Sequence, residues 1–345
     1  MLSRSAVLLL LGACATTHPD PSHATWTALD SGVEVSLRGL AVVSRDVAWA
    51  SGADGVVLLT RDGGATFARL PIRGAEGLDL RSIHAFDDQR AVVVAAGSPA
   101  RAFRTVDGGA SWSLVLSDDR PAIFLDGIAF CGDRDGWIVG DPIDGRFVVL
   151  RSDDGGASWH PIGREPHAEP GEAAFAASGT AVACAGGRVR FATGGAVARV
   201  VGSDDDGSSW QWARMPMAQA TASRGVFSLA FADARLGVAV GGDHLAPDAR
   251  EGSAAFTVDG GRTWHASERP PAGYRSCVAI ASGYGPGVRF AVGTNGADAS
   301  DDGGRTWRRI GDARAALGHH AIAFAPASRI GFAVGPRGRI SRIGG

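Results

Sequence analysis

TVDGGRTW, residues 257–264, decides the fold, because the chain writes the same eight-residue phrase six times. The other copies are TRDGGATF (60–67), TVDGGASW (105–112), SDDGGASW (152–159), SDDDGSSW (203–210) and SDDGGRTW (300–307). Their third-position carboxylates, Asp62, Asp107, Asp154, Asp205, Asp259 and Asp302, are separated by 45, 47, 51, 54 and 43 residues. A period in the forties, with several strand signals per unit, marks a propeller blade. Each position of the phrase has a mechanical reason. An Asp at the head of a turn accepts hydrogen bonds from backbone N–H groups ahead of it, and Gly supplies the positive φ that the turn needs. A Ser or Thr hydroxyl closes the same turn, and the terminal Trp opens the next strand and packs between layers. These carboxylates are therefore structural. They lack the alternating ligands and closing Glu of an EF-hand loop.

Upstream of each phrase stand two more strand signals, an apolar run and a segment ending in Gly. The second kind closes at Gly52, Gly97, Gly140, Gly194, Gly241, Gly293 and Gly335. That makes seven units for six phrases. The last unit, from Gly318 onward, carries three strands and stops. Its fourth strand is found at the other end, where Trp26-Thr27-Ala28-Leu29 matches the strands that follow the phrase elsewhere. The expectation is an all-β, seven-bladed β-propeller with four-stranded blades over residues 25–345, in which the N-terminal strand closes the last blade and so hides the sheet edges.

The phrase resembles the Asp-box, or bacterial neuraminidase repeat, and the full unit resembles the photosystem II stability/assembly factor-like family of propellers. That resemblance covers the chain from Trp26 to its end. It implies a non-catalytic scaffold that assists assembly of a protein complex. Fold alone does not assign function, so the site must be argued from its residues.

Composition narrows the field. The chain has 345 residues, a formal net charge of −2 and 50 glycines. All 34 of its Lys and Arg residues are Arg. No basic field is present for nucleic acid. No Gly-rich loop opens a helix for a nucleotide, so no cofactor is expected. The start, MLSRSAVLLLLGACATTHPDPSHA, has one Arg, a short apolar run and Cys14. The run is too short to span a bilayer and reads as a signal peptide over residues 1–13. Leu11-Gly12-Ala13-Cys14 resembles a lipobox, which implies a lipidated Cys14, a flexible tether over residues 14–24 and an outer-membrane lipoprotein on the periplasmic face. Cys131, Cys184 and Cys277 lie in apolar runs about fifty or more residues apart and read as small buried side chains. The chain is expected to be a monomer.

In such blades the Asp phrase occupies the turn between the third and fourth strands. The starts of the inner strands and the loops between second and third strands gather on the opposite face, around the mouth of the central channel. The candidate binding residues there are Arg38, Arg81, Asp126, Asp141, Asp144, Asp243, His244, Asp248, Arg275, Asn295 and His320, with Glu169 and Glu172 added by the long connection 162–178. Loops gathered on one face of a rigid repeat are where binding residues concentrate. No metal site is expected, because adjacent His319 and His320 point to opposite faces of a strand. The leading reading is a binding scaffold taking a protein partner or a glycan at this mouth. The alternative is a carbohydrate-active hydrolase at the same mouth, either a glycosidase of the usual kind, which needs two carboxyl groups across an open pocket, or a sialidase-like enzyme, which needs three arginines and a Tyr nucleophile. Arg38, Arg81 and Arg275 are its candidate arginine set.

Overall fold

A computed structural model describes residues 19–311 and 318–344. Cys14, the lipobox-like tetrad and the signal peptide lie outside them. Seven antiparallel sheets surround one axis. Blade 1 runs Leu37–Val42, Ala48–Gly52, Val57–Thr60 and Ala68–Arg69; blade 2 runs Asp79–Ala85, Ala91–Ala96, Ala100–Thr105 and Ser113–Asp118. Blade 3 runs Leu125–Cys131, Asp135–Ile143, Arg146–Ser152 and His160–Pro161; blade 4 runs Val182–Ala185, Arg188–Ala192, Arg199–Ser203 and Gln211–Arg214. Blade 5 runs Thr221–Phe231, Gly237–Asp243, Ala254–Thr257 and His265–Ala266; blade 6 runs Cys277–Ile280, Arg289–Gly293, Gly296–Ser300 and Arg308–Ile310. Blade 7 is assembled from both termini: Ala321–Phe324, Gly331–Val334, Ile340–Gly344 and then Thr25–Leu29. Trp26 pairs with Ile343 and Leu29 with Ile340, the closure expected from the sequence.

Burial explains the strand sequences. Every residue of Val57–Thr60, Gly237–Asp243 and Arg289–Gly293 is buried, because each middle strand is covered by the blades on both sides. Strands buried on both faces read as near-continuous apolar runs rather than alternating ones. The outermost strands Ala68–Arg69, His160–Pro161 and His265–Ala266 have two residues each and are exposed. Short, polar outer strands offer little edge for another chain to pair with.

The six turns repeat one hydrogen-bond pattern. In the fifth, Asp259 Oδ1 accepts from Thr257 Oγ1 at 2.8 Å and from the backbone N–H of Thr263 at 3.0 Å, and Oδ2 accepts from Thr263 Oγ1 at 2.6 Å. Thr257 Oγ1 in turn accepts from the N–H of Gly261 at 3.0 Å. Although burial works the other way, the Thr263 and Thr257 hydroxyls and backbone donors bring the Asp259 carboxyl down to about 2. Gly64 shows why the fifth position is Gly: at φ +91° a Cβ would lie 2.4 Å from Leu29 Cδ1, on the strand that closes the ring. Replacing Asp259 with Ala is expected to cost about 1 kcal/mol in urea unfolding, a typical value for lost hydrogen bonds at a partly exposed site. No change in the unfolding midpoint would show that this turn does not depend on its carboxylate.

Two sequence expectations are corrected. Cys131 and Cys184 are not independent buried thiols but a disulfide, with Cα atoms 5.4 Å apart, joining the inner strands of blades 3 and 4. Their separation of 53 residues is one blade repeat, so they fall at matching heights on neighbouring strands. Cys277 is a buried free thiol. The end of the expected tether is also ordered: Pro21–His23 forms a 3₁₀ turn, Asp20 pairs with Arg308 of blade 6 at 2.6 Å, and Ala24 is buried.

Candidate functional site

Four of the seven inner strands do not enter the channel as regular strands. The pairing register shifts between Leu37 and Gly39, Asp79 and Ser82, Leu125 and Gly127, and Val226 and Ser228. The residues at these irregularities are Arg38, Leu80 with Arg81, Asp126 and Phe227. A β-bulge leaves its extra residue out of the ladder and re-aims the side chain. Here the bulges turn Arg38, Arg81 and Phe227 toward a cavity of about 280 Å³ at the mouth. Its other walls come from Phe175, Ala176 and Ala177 of the long connection, His244, Tyr274 and Ser276, Thr294 and His320.

One wall is aromatic. Phe175 and Phe227 stack with centroids 3.9 Å apart and planes 13° from parallel. Tyr274 stands edge-on to Phe227 at 4.8 Å, and His244 approaches the same ring at 5.9 Å. The other wall carries the charge. Arg81 is neutralised by Asp79, with Nε and Oδ2 2.7 Å apart. Half-buried Arg38 donates to the carbonyl of Ala177 at 3.1 Å, and no carboxylate among the described residues reaches it as an ion-pair partner. Burial first, and Arg81 second, weaken the hold of Arg38 on its proton, while Asp79 and Tyr274 act in the opposite sense. His320 is pushed down to about 3, by burial and then by Arg38, His319 and Arg81, so it is neutral at ordinary pH. Burial pushes the Tyr274 hydroxyl up, against the pull of Arg38. Among the described residues the cavity thus offers one cation without an ion-pair partner, a neutral imidazole and an apolar surface.

The remaining candidates are placed elsewhere. Asp126 is buried, and neither of its carboxylate oxygens has a hydrogen-bond partner. Burial and then Asp141 raise it well above the usual carboxylate range, with Arg81 opposing. Asp141 accepts from the N–H of Ala174 at 2.9 Å, and burial holds it above the usual range despite that bond. Asp144 occupies a hairpin turn at φ 53° and lines a separate outer cavity with Arg120 and Arg146. Asp243 pairs with Arg224 at 2.9 Å, caps a turn through the N–H of Leu245 and lines a peripheral groove. Asp248 accepts from Asn295 Nδ2 at 2.7 Å, and Asn295 Oδ1 accepts from Arg275.

Arg275 is fully buried on Asp298, with Nε and Oδ2 2.7 Å apart. Its neighbours Tyr274 and Ser276 face the mouth instead, and strand alternation sends the residue between them the other way. Glu172 does not reach the mouth either; it is buried against Arg199, Nε to Oε1 2.8 Å, and Glu169 lies 3.8 Å from the same guanidinium. Of the two adjacent histidines, His320 lines the cavity while His319 is buried, with Nε2 3.1 Å from Ser341 Oγ. The aromatic wall is what the charge-based reading missed. Phe175 in the long connection and Tyr274 before the inner strand of blade 6 were its signals.

Among the described residues, no Asp or Glu lines the cavity. The two carboxyl groups that most glycoside hydrolases place across a pocket are not assembled among these lining residues, and the three-arginine set of the sialidase-like alternative is broken by the burial of Arg275.

No family model matches the chain. No curated protein matches it either. Solved structures do. One of YCF48 bound to a D1 peptide superposes with a TM-score of 0.68 at 17% identity, covering 95% of this chain and 98% of that one. YCF48 from Cyanidioschyzon merolae gives 0.65 at 19%, covering 92% and 98%. The WD40 repeats of RRP9 give 0.62 at 12%, covering 92% and 97%. At these identities the likeness is one of fold, and it makes this chain a complete-ring β-propeller of the kind that YCF48 and WD40 proteins share.

Proposed function

We propose that this protein is a non-catalytic binding scaffold that holds a protein partner at the channel mouth, exported and tethered to the periplasmic face of a membrane through Cys14. The observation that carries the reading is a division of labour between the two faces. On the turn face the carboxylates are consumed by their own turns. At the mouth, Arg38, His320 and the Phe175–Phe227 stack surround an open cavity without being required by any turn. Uncommitted cations and aromatic rings in a concave site are the usual anchors of recognition. The YCF48 neighbour, captured with a peptide, supports the idea that a ring of this shape suits such a task. Export is supported by the Cys131–Cys184 disulfide, since disulfides persist mainly in oxidising compartments.

A photo-cross-linker at exposed Thr294, on the rim of the cavity, is expected to trap a partner in cells. The same group at exposed Val106 on the turn face is expected to trap none. Cross-linking from Val106 alone, or from neither position, would overturn the reading. The mature protein recovered from membranes is expected to begin at a lipid-modified Cys14 by intact mass. A product beginning elsewhere would remove the tether.

A further inference from the structure

We propose that the channel mouth contains a subsite for a single carboxylate group carried beside an aromatic or branched aliphatic group, with Arg38 as its counter-charge and the Phe175–Phe227 stack as its apolar wall. This rests on the reading of the mouth as the binding face and names the chemistry that face selects.

The charge balance is the first support. Ion pairs account for Arg81 with Asp79, Arg224 with Asp243, Arg199 with Glu172 and Arg275 with Asp298. Arg38 is half-buried in a cavity and, among the described residues, has only the Ala177 carbonyl. A partly desolvated cation without a counter-charge costs stability in the free protein. Its guanidinium keeps further donors, arranged in the planar fork that matches a carboxylate. A carboxylate supplied by a ligand restores both the charge and the hydrogen bonds.

The second support is the shape and lining of the cavity. An apolar cavity of about 150 Å³ accepts benzene. The 280 Å³ here therefore admits a ring-sized group together with a carboxylate, but no folded element. Phe175, Phe227 and Tyr274 form one wall, and Arg38 and His320 the other, so an apolar group and an anion meet complementary surfaces side by side. His320, being neutral, donates or accepts a hydrogen bond without adding charge. No Asp or Glu stands among the described lining residues to repel the anion. A phosphate dianion is a poorer match, because among the described residues Arg38 is the only cation lining the cavity without an ion-pair partner.

The experiment is calorimetric titration of the folded chain with N-acetyl-phenylalanine, its amide and N-acetylglycine. The acid is expected to bind at least tenfold more tightly than the amide, which lacks the charge, and than the glycine derivative, which lacks the ring. Arg38→Gln is expected to weaken the acid at least tenfold and leave the amide unchanged, while Arg38→Lys recovers part of the loss. Melting curves establish that each variant is folded. Equal binding of acid and amide, no binding of the acid, or an acid affinity unaffected by Arg38→Gln overturns the proposal. Two further probes distinguish the source, and either result supports the subsite. Preference for acetyl-Phe-Asp-amide over 3-phenylpropionate assigns the carboxylate to a peptide, and the reverse assigns it to a free organic acid. The scaffold reading fails separately, on a silent cross-linker at Thr294.

Discussion

A chain that begins at residue 31 is expected to lose its cooperative melting transition, whereas one that begins at residue 15 keeps it. Among the described residues, Thr25–Leu29 is the strand that covers the outer edge of Ile340–Gly344, and its five residues pair in unbroken register from Thr25–Gly344 to Leu29–Ile340. Trp26 also lies over the buried His319, ring centroids 5.4 Å apart, and Leu29 packs where the Gly64 turn of blade 1 meets blade 7. Removing the strand therefore opens a sheet edge and uncovers apolar surface at the seam between the first and last blades. Folded domains are held by only about 5–15 kcal/mol, and a broken closure removes a contribution of the same order. Thermal unfolding with light scattering is the measurement. The short chain is expected to aggregate or unfold without a sharp transition, and a synthetic peptide spanning residues 19–32 is expected to restore part of the cooperativity. A melting curve unchanged by the deletion would show that blade 7 stands on three strands.

The second large effect is a gain. Asp126→Asn is expected to stabilise the protein by roughly 1–3 kcal/mol at pH 8, the order of the energy with which burial opposes ionisation of a carboxyl, because Asn fills the buried site without a group that charges. Asp126 is buried with both carboxylate oxygens unpaired, and burial together with Asp141 raises its proton affinity. A carboxyl whose folded value lies above its unfolded one stabilises the protein fully at pH values below the unfolded value near 4. That stability is lost as pH rises toward the folded value, at up to about 1.4 kcal/mol per pH unit. The advantage of Asn is therefore greatest at pH 8 and shrinks toward pH 5. His84 and His320, held down to about 4 and about 3 chiefly by burial, make both proteins less stable in acid. Because that loss is common to both, the difference between their urea unfolding curves at pH 8 and pH 5 isolates Asp126. A variant less stable than the parent at pH 8 would mean that the carboxylate is satisfied and charged in the folded protein.

The same residue shows why the charged candidates divided as they did. Asp141 and Asp243 look free in sequence, as acidic residues in loops. In the fold the first is spent on the N–H of Ala174 and the second on Arg224 and a turn. Their removal is consequently a matter of stability before it is one of recognition. Arg38 is the reverse case, a cation that no carboxylate among the described residues pairs with.

The ring itself was legible in the sequence, because each blade is specified by local chemistry. An Asp, two glycines and a hydroxyl make the same turn wherever they occur, and the count of seven strand-ending glycines against six turns implied closure by Trp26-Thr27-Ala28-Leu29. The ring in turn located the inner-strand starts, hence Arg38, Arg81 and His320 at the mouth. What remained for the tertiary structure was whatever depends on two segments distant in the chain. Cys131 and Cys184 become partners only when blades 3 and 4 stand side by side at matching height. Arg275 is drawn inward because Asp298, on the third strand of the same blade, waits on that side. The bulges that turn Arg38, Arg81 and Phe227 into the cavity, and that leave Asp126 buried without a partner, exist only in the register between paired strands. A side chain's type and period follow from its own segment, but its direction at a bulge and its partner across a blade are properties of pairs, and only folding brings the pairs together.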